Sequence, residues 1–229
     1  MDATLQNTNI TTQTPTNKLP EINYWGYFSC LCLVLALIMV IEKTIILSDT
    51  LYFEALSETL AYERIQEMLS FQKEWVWVGY VMIPLVVTLK IFLISICLLT
   101  GFVLNRQKVS FKHTFQMVLL LEAVWLVPAI IKTTYFLIAK DYTLENMNNF
   151  YPYSLLALFD AKNLNPVLIY PIYTLNLVEF IYILLLGVGV QRLTNQAYTE
   201  SLKDVLSTYF VGLLVWVLCV CFLMVSLAP

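Results

Sequence analysis

The chain predicts an all-α fold, a polytopic membrane bundle of five transmembrane helices with one further helix outside the membrane. Three observations carry this reading. Of 229 residues, 59% are hydrophobic and only 13% charged, whereas a soluble domain has about 45–50% apolar and about 25% charged residues. Five apolar runs are long enough to cross about 30 Å of hydrocarbon, which takes roughly 20 helical residues. No strand-length alternation suggests a barrel, and in lipid only helices and closed barrels satisfy their own backbone. The mean hydropathy of +0.74 excludes an ordinary soluble enzyme or a disordered protein. The net charge of -3 and pI of about 5.2 exclude a nucleic-acid binder.

Residues 1–23 are rich in Thr, Asn and Gln, include Pro15 and Pro20, and read as a disordered tail. The tail is too polar to open a secretory signal, and no small-residue cleavage site follows the first apolar run. That run is expected to be a retained anchor, so 24–229 form a single membrane domain. The expected spans are 24–41, 75–104, 114–139, 166–190 and 206–227, with Pro84, Pro128 and Pro171 as kink positions. Residues 51–72 lack Gly and Pro and are rich in Ala, Leu, Glu and Gln. They predict one helix on the outer membrane face, whose acidity disfavours docking on anionic lipid. The apolar stretch 150–159 is too short to cross and predicts an interfacial or re-entrant turn.

Short-loop lysines and arginines set the orientation. Arg106, Lys108 and Lys112 follow the second span with no acid among them, which places that loop in the cytoplasm. The segment between spans one and two carries Asp49, Glu54, Glu58, Glu63, Glu67 and Glu74 against Lys43, Arg64 and Lys73, which places it outside. The N-terminus is then cytoplasmic and the C-terminus external. Trp25, Trp75 and Trp77 fall at water–lipid boundaries, where belt aromatics belong.

Four ionisable residues lie within the spans: Lys90, Glu122, Lys132 and Glu179. Each costs about 2.5–3.5 kcal/mol at a helix centre, so an intramembrane charge marks a functional site by default. Counted from the cytoplasmic ends at 1.5 Å per residue, Glu122 lies about 15 Å deep, Glu179 about 16 Å and Lys90 about 21 Å. These three are candidates for one midplane charge cluster. Lys132 lies nearer the outer surface, where its stem can snorkel. The bland reading pairs Lys90 with Glu122 or Glu179 and leaves the other carboxylate protonated or hydrogen-bonded. The sharper reading has two carboxylates share one lysine in a proton- or ion-linked site.

Five cysteines, Cys30, Cys32, Cys97, Cys219 and Cys221, lie in apolar runs. Residues two apart on a helix point roughly 200° away from each other, so neither Cys-x-Cys pair holds a metal or closes a disulfide. His113 has no Cys or His at ligand spacing, and no cofactor or metal is expected. There is no Gly-x-Ser-x-Gly, His-Glu-x-x-His or phosphate loop, so no enzyme is expected. Gly187 and Gly189 suit a close helix contact or a helix end.

In the C-terminal half a short apolar segment, Ser154 to Phe159, precedes Asn165-Pro166. A span follows that contains Asn176-Leu177-Val178-Glu179-Phe180 and ends in Gly187-Val188-Gly189. A polar turn, Arg192 to Glu200, leads into a final apolar span. This order of elements over about residues 75–227 resembles the bacterial branch of the Yip (Ypt-interacting) membrane-protein family. The resemblance implies five membrane helices with a cytoplasmic N-terminus and no catalytic residues. It implies an accessory role beside other membrane machinery, ABC-type exporters included. The chain lacks the Asp-Leu-Tyr-Gly-Pro type of motif of eukaryotic members, and Phe and Tyr stand around Phe180 to Ile183 where the family usually has Trp. The link to Rab-type GTPases is therefore not carried over.

The expectation is a non-catalytic accessory or scaffold subunit of the bacterial inner membrane that binds the bilayer and a partner membrane protein. The alternative is a small solute- or proton-handling transport subunit that uses the midplane charges.

Overall fold

The computed structural model describes residues 20, 22–139, 141–159 and 164–227. Most of the 1–23 tail, and Lys140, Asp160 and Lys162, lie outside the described residues. The chain is an all-α, multi-pass membrane protein. Five helical segments are long and apolar enough to cross a membrane: Tyr24–Ile46, Val76–Leu104, Phe111–Ile138, Leu177–Thr194 and Tyr198–Leu227.

Helix α1, Tyr24–Ile41, starts at Asn23, whose side-chain oxygen accepts from the Gly26 amide at 3.2 Å. The span extends past residue 41. A wider π-turn over Glu42–Ile46 carries it onward, closed by the Leu47 amide on the Glu42 carbonyl at 2.8 Å. Glu42 therefore lies inside the span, where its carboxylate accepts from the Thr133 hydroxyl at 3.3 Å.

The expected single helix over 51–72 is two helices, α2 (Asp49–Leu56) and α3 (Tyr62–Glu74). The break has a local cause without Gly or Pro. The Ser57 and Thr59 hydroxyls bond back to the Glu54 and Leu56 carbonyls at 3.4 and 3.2 Å, which competes with helical continuation. Phe53 stacks on Tyr62 across the bend at 4.9 Å, and Lys73 on α3 bonds Asp49 on α2 at 2.6 Å.

Helix α4, Val76–Leu104, runs unbroken through Pro84. It ends with Arg106 in the left-handed region at φ 55 and with the Gln107 amide on the Phe102 carbonyl at 2.8 Å, a Schellman closure. The third span divides into α5 (Phe111–Leu121), a tight 3-10 turn at Glu122–Trp125, and α6 (Leu126–Ile138). Pro128 explains the turn, since it cannot donate to the Val124 carbonyl and its ring crowds that group.

Helix α7, Leu144–Asn148, precedes a folded segment with a 3-10 turn at Leu155–Leu158. The expected fourth span over 166–190 is interrupted. Helix α8, Pro166–Thr174, stops at Leu175, and α9, Leu177–Thr194, begins afresh after Asn176. Asn176 accepts from the Glu179 amide at 2.7 Å and so caps the new helix. The segment around Ser154 satisfies the break. The Leu155 amide donates to the Leu175 carbonyl at 3.0 Å, and the Leu177 amide donates to the Tyr153 carbonyl at 2.8 Å. The Ser154 hydroxyl donates to the Ile172 and Tyr173 carbonyls at 3.0 and 3.1 Å. Higher in α8, Pro171 leaves the Val167 carbonyl without its helical donor, and the Cys221 thiol takes that place at 3.8 Å.

Helix α9 passes Arg192 and turns only at Asn195, which adopts φ 56. The last span starts earlier than expected, as α10 (Tyr198–Val205), a π-turn (Leu206–Phe210) and α11 (Val211–Leu227).

The principal core lies among α4, α5, α9 and α10, around Ile91, Leu98, Phe102, Val118, Leu186 and Val190. Gly187 and Gly189 end no helix; they sit within α9 facing different neighbours. Gly187 lies against Tyr198 and Leu202 of α10, and Gly189 lies against Met117 of α5. Their spacing of two admits one helix on each side of α9. Gly189→Ala pushes a Cβ into the Met117 sulfur and is expected to cost about 1–2 kcal/mol. Adding Met117→Ala should recover part of that loss in thermal melts in detergent. Purely additive losses would show that the two helices do not meet there.

Candidate functional site: the intramembrane charge cluster

Three irregular points of the bundle deliver the polar side chains. The 3-10 turn before Pro128 presents Glu122 and Trp125, the restart of α9 presents Glu179, and the π-turn of the last span presents Tyr209. Lys90 comes from the middle of α4, on the edge of the stripe that buries Val87, Ile91 and Ile94. Counted from Thr194, Glu179 lies about 22 Å along its helix, close to the roughly 21 Å that separates Lys90 from Leu104.

The Lys90 ammonium donates to Glu122 Oε1 at 2.6 Å. Their side chains are 36% and 6% exposed, so the carboxylate is enclosed and the lysine stem lies at the bundle edge. The ammonium also sits 4.2 Å from the Trp125 ring centroid and 5.8 Å from that of Tyr182. Such cation–π contacts gain strength when desolvated. Trp125 and Tyr182 pack at 5.9 Å and Tyr182 and Tyr209 at 5.8 Å, which extends the cluster across α9 to the last span. The Tyr209 hydroxyl donates to Glu179 Oε1 at 2.7 Å. Tyr27 of α1 donates to the Leu120 carbonyl at 2.9 Å, just ahead of the 3-10 turn.

Lys90 therefore bonds Glu122, while Glu179 is hydrogen-bonded to a tyrosine. All three candidates belong to one contiguous cluster, bridged by aromatic rings. Lys132 stands apart on α6, half-buried. Three polar atoms of the cluster are buried without a hydrogen-bond partner: Glu122 Oε2, Trp125 Nε1 and the Tyr182 hydroxyl. Among the described residues no group of three or more His, Cys, Asp or Glu side chains is placed to hold a metal ion.

Sequence reasoning missed Trp125, Tyr182 and Tyr209, because aromatics in a span read as core or belt residues. A usable signal was present at Asn176, where an amide cap three residues before an acid within an apolar run marks a helix start.

Compared with protein-family models, curated proteins and solved structures, the chain matches none. The class of protein defined here is a five-span helical membrane protein with a buried acid–base cluster, and its function rests on that geometry.

Removing one member of a buried pair leaves its partner uncompensated. Lys90→Met is expected to destabilise the protein in detergent by about 3 kcal/mol, the lower end for such pairs because the lysine is partly exposed. Lys90→Met with Glu122→Leu should regain most of that stability. If the double variant is no more stable than Lys90→Met, the 2.6 Å contact does not couple the two residues.

Proposed function

We propose that this protein is a non-catalytic accessory or scaffold subunit that holds partner membrane proteins. In this reading it resides in a bacterial inner membrane, with its N-terminus cytoplasmic and its C-terminus outside. The observation that carries the proposal is the internal closure of the charges within the spans. Lys90 is spent on Glu122 and Glu179 on Tyr209, so the polar groups at lipid depth join spans to one another. Two surfaces are left for partners. One is α11, which buries none of its residues and exposes Leu218, Phe222 and Leu223. The other is the acidic α2–α3 cap, with Glu58 and Glu63 in the open. The order of elements that resembles the bacterial Yip family supports the same role, with ABC-type exporters among the partners it implies.

A second reading is favoured by one observation. Glu122 Oε2, Trp125 Nε1 and the Tyr182 hydroxyl are buried and unpartnered in the cluster, and α8 and α9 are broken apart three residues before Glu179. Discontinuous helices flanking buried acids are a device of proton- and solute-handling proteins. One pair of measurements separates the readings. Under the first, the protein purified in mild detergent carries a stoichiometric membrane-protein partner, and Glu58→Gln with Glu63→Gln weakens that association. Liposomes containing the chain then leak protons no faster than empty ones. Under the second, purification yields the chain alone, and liposomes show pH-dependent flux that Glu122→Gln or Glu179→Gln abolishes.

A further inference from the structure

Open space lies away from the charge cluster, in the cleft between the end of the first span, the α2–α3 cap and the start of α4. Two adjoining cavities of about 420 Å³ and 530 Å³ share Lys43, Tyr52, Gln72 and Val76. Each is within the range of small-molecule sites. The smaller is walled by Met39, Phe71 and Trp75 and is mostly apolar. The cleft thus has an oily chamber and a more polar one, and Lys43 lines both.

We propose that this cleft binds one anionic phospholipid of the bilayer, with its phosphate on Lys43 and an acyl chain along Met39 and Phe71. Charge points to an anion. Lys43 is half-buried, and no carboxylate of the described residues lies within ion-pair distance of it. Asp49, the one acid lining the larger cavity, is bonded to Lys73 at 2.6 Å, and Glu42 lines neither cavity and accepts from Thr133 at 3.3 Å. The Tyr52 hydroxyl accepts from Gln72 at 3.4 Å, which leaves its proton to donate to a phosphate oxygen.

Depth points to a lipid. The cleft lies where the first span ends at Ile46 and the second begins at Val76. The stacked Trp75 and Trp77, 52% and 58% exposed, mark the level at which headgroups sit. Gly79, inside the second span, forms part of the apolar wall, and a side chain there would collide with Met39. The acidic bias of 51–72 argues against lying on anionic lipid; the lysine enclosed beneath these helices reverses that locally, for a single molecule.

Native mass spectrometry of the full chain, released from detergent after incubation with equal phosphatidylglycerol and phosphatidylcholine, tests this. The expected spectrum shows one retained phosphatidylglycerol. Lys43→Gln should lower that retention about fivefold, the worth of one lysine at a headgroup. Arg64→Gln removes the same charge from the cap, outside both cavities, and should leave retention unchanged. Phe71→Ala should lower it without altering the preference for the anionic lipid. Unaltered melting of Lys43→Gln in detergent keeps the comparison valid. Equal retention of phosphatidylcholine, or equal loss in Lys43→Gln and Arg64→Gln, overturns the proposal. Displacement of the lipid by inorganic phosphate, or a protein bound in its stead, overturns it as well.

Discussion

A peptide group in hydrocarbon has no water to fall back on, so every break in a spanning helix must be closed by another part of the same chain. The interruption at Leu175–Asn176 is where this constraint is most demanding, and much of the architecture follows from it. The segment around Tyr153–Leu158 folds into the bundle because the Leu155 amide, the Tyr153 carbonyl and the Ser154 hydroxyl are what the break lacks. Helix α8 lies against α11 where Trp216 donates to Tyr170 at 2.9 Å and Cys221 serves the carbonyl that Pro171 orphans. The two helices on either side of the break are held by different neighbours, α8 by α11 and α9 by α5 and α10.

The charge cluster is built from the same irregularities. Regular helices would carry Glu122, Glu179 and Tyr209 on faces set by periodicity alone. The 3-10 turn, the capped restart and the π-turn each re-aim one of them, and the three meet around Tyr182. Tyr182 is fully buried and touches both ends of the cluster, so the lysine pair and the Glu179 bond share one environment. Departures from ideal helix geometry are frequent at functional sites, and here they are what makes the cluster possible.

Much of the fold was legible because hydropathy reports burial in lipid directly: five apolar runs became five spans. Counting depth along the helices also brought Lys90, Glu122 and Glu179 to similar levels. Hydropathy does not see hydrogen bonding, and that is where the reading stopped. Leu175 and Leu177 are as apolar as their neighbours, so the break between them was invisible, although Pro171 and Asn176 held its cause. The bend at Ser57–Ala61 hid likewise, in hydroxyl-to-carbonyl bonds that composition does not weigh. Glu42 and Lys43 were left at the edge of the first span because a π-turn extends a helix without any sequence mark. The choice of Glu122 over Glu179 as the partner of Lys90 depends on the tightened turn before Pro128, a three-dimensional consequence that periodicity does not supply.

The order of residues in the cluster bears on how the protein is made. A chain enters the membrane from its N-terminus. When Glu122 arrives, Lys90 is already in the bilayer, so that acid has its counter-ion from the start. Glu179 has no such precedent: the hydroxyl that serves it belongs to Tyr209, further along the chain. Until the last span is synthesised, α9 carries an acid whose donor does not yet exist. The tight turn at Asn195–Ala197 shortens that interval by sending the final span back along α9 at once. The closing hairpin therefore acts as an assembly step that completes the interior of the membrane domain.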